Sequence, residues 1–167
     1  MTSLNIIQRT VGNASVVEFD GRVDEHADFS SVKWDGVETA IFDLDDVSLF
    51  SSVGVKRWIN FFTAIPALVT LRFRRCSIAV VHQLNQMAHF TASRTVVIES
   101  VHIPYYCDHC DKTATTTLDL TKLEPNAEPT VAKVLPCPVC GEKMEIETDL
   151  SWYLMFRRRL ARSEPTA

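Results

Sequence analysis

The 167-residue sequence predicts an α/β fold carrying a small cysteine-bearing appendage, on three observations. Over residues 1–103, short apolar runs that read as strands alternate with two stretches of helical spacing, the pattern of a sheet with helices packed against it. Over 104–148 the chain is turn-rich and holds two Cys-x-x-Cys pairs. A short amphipathic segment with aromatic and arginine residues fills 149–167.

In chain order, residues 4–8 and 14–19 are apolar-rich runs joined through Gly12-Asn13, a hairpin dipeptide. Residues 39–44 form a third run that ends in an acidic turn at Asp45-Asp46. Val55, Trp58, Ile59, Phe62 and Ile65 recur at helical spacing over 53–65, with Ser51 and Ser52 ahead as candidate caps and Pro66 behind. Residues 68–73 read as a fourth strand. Ser77 caps a second helix whose inward face is Ile78, Val81, Leu84 and Met87, and residues 95–103 return as one strand. The stretch 30–36 is short for a full crossover helix. Leu150, Tyr153, Leu154 and Leu160 are the inward positions of the terminal helix, whose arginines suit the C-terminal end of a helix dipole.

Cysteine spacing is the most specific signal. Cys107/Cys110 and Cys137/Cys140 form two pairs with 26 residues between them, each in a knuckle: Tyr106-Cys-Asp-His-Cys-Asp and Pro136-Cys-Pro-Val-Cys-Gly. Thiolates two residues apart can face one tetrahedral ion, so the four cysteines are expected to hold a structural Zn2+ as a zinc ribbon. Such a site replaces the core that some forty residues cannot build. His109 lies inside the first knuckle and reads as a loop residue, since four thiolates close the shell. The segment 111–136 reads as a hairpin with a mobile tip around Pro125, Asn126 and Pro129. These features divide the chain into 1–103, 104–148 and 149–167.

The run Asp43-Leu-Asp-Asp-Val-Ser-Leu-Phe-Ser-Ser-Val-Gly54 resembles the STAS domain of bacterial anti-sigma factor antagonists. That family's signature is Asp-Leu-x-x-Val followed by an Asp-Ser-x-Gly turn that opens a helix. Asp43, Leu44 and Val47 match, Ser52 falls on the acceptor serine and Gly54 on the glycine. Gly21-Arg-Val-Asp24 is similar to the family's Gly-x-Leu-Asp, and Cys76 to Leu84 is similar to its last-but-one helix. The resemblance covers about residues 4–103. It implies a mixed sheet flanked by helices, no catalysis, and a partner protein, typically a kinase-type anti-sigma factor, docking around the acceptor turn. On that reading Asp24, Ser51, Gly54, Lys56 and Arg57 are partner-binding and Ser52 is a phosphoacceptor whose modification abolishes docking. Phosphate would add nearly two negative charges to a surface packed against another protein. The sequence departs from the family at Ser51, where the signature has Asp, and this alters the charge a kinase would read.

Composition narrows the alternatives. Seventeen basic and 21 acidic residues give a net charge of −4, and the 104–148 segment alone holds four basic and eight acidic residues. This balance argues against a nucleic-acid partner, although Arg157, Arg158, Arg159 and Arg162 could serve as phosphate contacts in a ribbon that bound one. No apolar run reaches the roughly 18 residues of a membrane span, and no export signal is visible, so a cytoplasmic location is expected. There is no Gly-x-Ser-x-Gly elbow and no glycine-rich phosphate loop. His82 and His89, Cys76, and the acidic trio Asp43, Asp45 and Asp46 read as structural. The expected function is therefore a non-enzymatic signalling protein. The alternatives are a scaffold component with an unmodified Ser52, a nucleic-acid-binding ribbon, or a subunit of a membrane transport complex. Oligomeric state is not legible.

Overall fold

A computed structural model describes residues 3–124 and 127–161, with side chains through Arg159. The chain is mixed α/β, with two sheets and four helices among the described residues. The first sheet has the order β1-β2-β3-β4-β5, formed by β1 (Asn5–Val11), β2 (Ala14–Val23), β3 (Thr39–Phe50), β4 (Thr70–Arg74) and β5 (Val96–Ile98). The hairpin turns at Gly12, whose φ of 61° is the left-handed conformation that glycine adopts without strain. β1 is antiparallel to β2, and the remaining pairs are parallel.

Helix α1 (Ser52–Ala64) connects β3 to β4, and α2 (Ile78–Gln86) connects β4 to β5. Both crossovers advance in one direction along the sheet, so right-handedness puts both helices on one face. Strand alternation turns Val17, Phe19, Phe42, Leu44, Leu71 and Phe73 to that face, all nearly fully buried. Trp58 and Phe62 meet them, with ring centroids 5.5 Å from Phe19 to Trp58 and 5.1 Å from Phe42 to Phe62. The β2–β3 crossover, residues 24–38, contains no helix. It fills its place with Phe29, stacked on Phe61 at 4.6 Å, and with Trp34. Gln8 pins it by donating to Lys33 O at 2.7 Å and accepting from Lys33 N at 2.8 Å. The opposite sheet face carries ion pairs, among them Arg9–Glu18, Arg72–Glu99 and Arg74–Asp43.

Two strand expectations need correction. The third strand does not end in a turn at Asp45-Asp46. It continues to Phe50 because β2 keeps pairing with it, Asp20 with Asp46 and Val23 with Phe50, across two register shifts. The first shift, between Glu18 and Asp20, sets three residue steps of β3 against two of β2, with Leu44 and Asp45 both inside it. Residues 95–103, expected as one strand, are two. After β5, Glu99 N bonds back to Phe73 O at 2.7 Å, and the chain then enters β6 (Ser100–Cys107) in the second sheet.

The second sheet has the order β7-β6-β9-β8, formed with β7 (Lys112–Asp119), β8 (Val134–Pro136) and β9 (Lys143–Ile146), all antiparallel. The 111–136 segment is therefore not one hairpin, since its ends belong to two different ones. Its expected tip at Pro125 and Asn126 lies outside the described residues. The expected 103/104 boundary falls inside β6, where Val101, Ile103, Tyr105 and Cys107 alternate inward, each no more than 2% exposed. The strand is stitched to the first layer at Cys76, whose N donates to Ser100 O at 3.0 Å and whose O accepts from His102 N at 2.9 Å. One hydrophobic core runs through both layers.

The terminal segment forms two short helices, α3 (Leu150–Tyr153) and α4 (Met155–Ala161), rather than one. Tyr153, Leu154 and Phe156 are buried, Leu150 is partly so, and the side chain of Leu160 lies outside the described residues. Asn85 of α2 clamps the junction, donating to Tyr153 O at 2.8 Å and accepting from Phe156 N at 2.9 Å. It takes an inward position where Met87, only half-buried, was expected.

Candidate metal centre and docking turn

The two knuckles sit at the tips of the two hairpins of the second sheet. Cys107 ends β6, Asp111 N returns to Cys107 O at 3.0 Å, and Asp111 takes the left-handed φ of 55° to enter β7. Cys137 follows β8, Gly141 N returns to Cys137 O at 2.9 Å, and Gly141 supplies the matching φ of 78° ahead of β9. Pairing of β6 with β9, Tyr105 opposite Ile146, brings the two tips together.

The four sulfurs lie within 4.8 Å of one another, with Cys107 Sγ to Cys140 Sγ and Cys110 Sγ to Cys137 Sγ each at 3.6 Å. A tetrahedral ion with bonds of about 2.3 Å needs sulfur–sulfur edges of about 3.8 Å, so this set is positioned to hold a metal ion. Backbone N–H groups of Cys140 and Val139 point at the Cys137 sulfur and hold its thiol down at about 6. Burial, with hydrogen bonding to the neighbouring cysteines, pushes Cys110 up to about 12. The centre thus combines a ready thiolate with thiols that lose their protons when an ion binds. Cys140 is exposed at the rim, as is His109.

The second candidate is the bend between β3 and α1. Ser51 is the N-cap, its Oγ accepting from Gly54 N at 3.1 Å while its own N donates to Val23 O at 3.0 Å. Ser52 is the first helical residue. It is exposed, and its hydroxyl has no hydrogen-bond partner among the described residues. The two serines therefore do different things, although both read as caps. Ser51→Ala should cost about 1 kcal/mol in urea unfolding and Ser52→Ala less than about 0.5 kcal/mol. Equal effects would mean that the capping geometry is wrong.

Apolar side chains flank the bend, Leu49 39% and Val53 51% exposed. Lys56 is exposed with no ion pair among the described residues, whereas Arg57 donates to Ala27 O at 3.4 Å and braces the 24–38 loop. Asp24 follows the strand end that touches the bend, but its carboxylate turns into its own loop, accepting from His26 N at 3.0 Å. Gly54 is packed on backbone: a Cβ there would lie 1.8 Å from Val23 O.

Some arrangements that sequence reasoning did not find also emerge. Asp43, 2% exposed, is held by Arg74 and Arg75, and Arg75 takes a left-handed φ of 50° to reach both Asp43 and Asp45. Asp45 in turn meets His102 Nε2 at 2.5 Å, while Thr117 Oγ1 meets His102 Nδ1 at 3.3 Å. With its imidazole buried and both nitrogens engaged, His102 joins β3 of the first sheet to β6 and β7 of the second. The only cue in the sequence was the acidic trio itself, because Asp45 and His102 are 57 residues apart. Cys76 is fully buried, and desolvation pushes its thiol well above the ordinary range, which makes it inert. No helix among the described residues is long and apolar enough to cross a membrane. Compared with protein-family models and with curated proteins, the chain matches none.

Proposed function

We propose that this chain is a non-enzymatic docking protein: a STAS-like layer of the anti-sigma factor antagonist type, stiffened by a zinc ribbon. The observation that carries the reading is the exposed Ser52 hydroxyl at the head of α1, without a hydrogen-bond partner among the described residues, on a bend that also exposes Leu49 and Val53. Leaving the capping to Ser51 keeps that hydroxyl available to a partner or a kinase. The order of one antiparallel strand followed by parallel strands, with the bend at the end of β3, agrees with the mixed sheet that the resemblance implies. The metal is read as Zn2+ because an all-thiolate tetrahedral set with no open position suits a structural zinc. In this reading Ser51, Gly54 and the backbone at Asp24 shape the bend, and Lys56 offers a cation to the partner.

The test uses the whole chain with a kinase-type anti-sigma factor. Unmodified protein should bind, and Ser52→Asp should weaken binding by about tenfold or more while leaving the unfolding midpoint unchanged, since position 52 is exposed. Equal binding by wild type, Ser52→Asp and a Leu49→Ala/Val53→Ala double variant would reject the bend as the docking surface. In that case the scaffold reading would stand in its place.

A further inference from the structure

The second sheet leaves one long edge open. β7 has β6 as its only strand neighbour and pairs with it residue for residue from Lys112 to Asp119, without a bulge. At the end of this register Leu120 N donates to Glu99 O at 2.8 Å, and within it Thr115 faces Pro104, which has no N–H to give. Alternation therefore sends the backbone groups of residues 112, 114, 116 and 118 towards β6, and those of Thr113, Thr115, Thr117 and Asp119 away from it. The outward N–H and C=O groups meet no protein partner among the described residues. Natural sheets keep their edges from pairing by shortness, proline, charge or a bulge. The other edges here follow that rule: β5 and β8 have three residues each, β8 ends in Pro136, and β1 carries Arg9. β7 has eight residues, four of them threonine, and its charges stand only at its two ends. Threonine favours strands, so this edge carries none of the usual defences and is well made for pairing.

We propose that β7 pairs antiparallel with β7 of a second copy about a two-fold axis, joining the two four-stranded sheets into one. Outward backbone groups must face outward groups, so only every second register is allowed. With the axis at Thr116, Thr115 faces Thr117 of the partner subunit, and Thr113 faces Asp119 of the partner subunit. Symmetry makes each pair twice, and each exchanges two hydrogen bonds. On the other side of the sheet, the half-buried Ala114 meets the half-buried Leu118 of the partner subunit. Moving the axis to Thr115 carries Asp119 past the partner strand and against Asp111 of its turn. Moving it to Thr117 shortens the pairing to five residues of the Lys112–Asp119 strand. The Thr116 axis pairs seven, from Thr113 to Asp119, with no like charges facing each other. It also lays the cationic start of each strand along the anionic end of the other. This self-complementarity favours a second copy over an extended segment of a different protein.

Sedimentation equilibrium of the full-length, metal-loaded chain from about 1 µM to about 300 µM tests this. The wild type should self-associate to a dimer and no further. Thr115→Pro deletes an outward N–H but no hydrogen bond within the chain, and it should weaken association by about tenfold or more. Thr113→Asp sets two carboxylates face to face, twice by symmetry, and should weaken it by about the same factor. Thr113→Lys, facing the same Asp119, should not weaken it. Position 113 is exposed, so neither change there should move the thermal midpoint of the dilute protein. A wild type that stays monomeric over the whole range overturns the proposal and leaves the edge to a different chain. A dimer that survives a folded Thr115→Pro also overturns it, as does one that Thr113→Asp and Thr113→Lys affect equally.

Discussion

Gly54→Ala should destabilise the protein by about 4 kcal/mol or more, or prevent folding altogether. The reason is space and not backbone conformation. Gly54 lies in the first turn of α1, and an added Cβ would come 1.8 Å from Val23 O, 2.4 Å from Val23 C and 2.8 Å from Asp24 N. All three are backbone atoms, so no rotamer change relieves the overlap. Either α1 withdraws from the end of β2, or that end moves. Withdrawal breaks the Ser51 N to Val23 O hydrogen bond and lifts Trp58, one turn further along, from its place between Phe19 and Phe62. Urea unfolding of the purified variant is the measurement. Should it fold with less than about 1 kcal/mol lost, the close approach of helix and strand would be wrong, and with it the shape of the proposed docking bend.

Loss of one sulfur at the metal centre should have an effect of comparable size. Cys110→Ser leaves three thiolates, and metal content should fall from about one ion per chain to a small fraction of that. The damage should not stay local. Cys107 and Cys137 are buried in the same core as Val101, Ile103 and Tyr153, and β6 carries the ligand Cys107 at one end and the Cys76 stitch at the other. Metal removal, by this substitution or by a chelator, should cost about 5 kcal/mol or more. Amide exchange should accelerate through β6 and the contacts around His102 as well as through the knuckles. Exchange confined to residues 107–146 would show that the two layers are energetically independent. A chain that keeps its stability and its exchange pattern after chelation would reject the metal centre.

Much of the layout was legible because it is local. Hairpin chemistry at Gly12-Asn13, helical spacing ahead of Pro66 and paired cysteines each act within about ten residues, and each lies where its pattern implied. What was not legible depends on residues far apart in the chain. Nothing in the run Thr39 to Leu44 announces that β3 continues to Phe50, because that continuation depends on pairing with β2. Residues 95–103 look like one strand by alternation, and the break at Glu99 arises only because Phe73 and Leu120 both claim its backbone. At the bend, the sequence placed two serines ahead of a helix but could not say which one capped it. That depends on the approach of Val23 to Ser51 N, a tertiary contact.

The join between β6 and Cys76 has an evolutionary consequence. Modules joined by a loose tether can be traded between genes, because a cut in the tether exposes little. Here any cut that removes the cysteine-bearing half must leave Cys76 without its backbone partners and lay bare the inward row of Val101 and Ile103. A lineage that lost the thiolates would have to rebuild that flank of the first sheet at the same time. The two halves are therefore bound to be inherited together, and variation should collect in the connecting loops and not at the join.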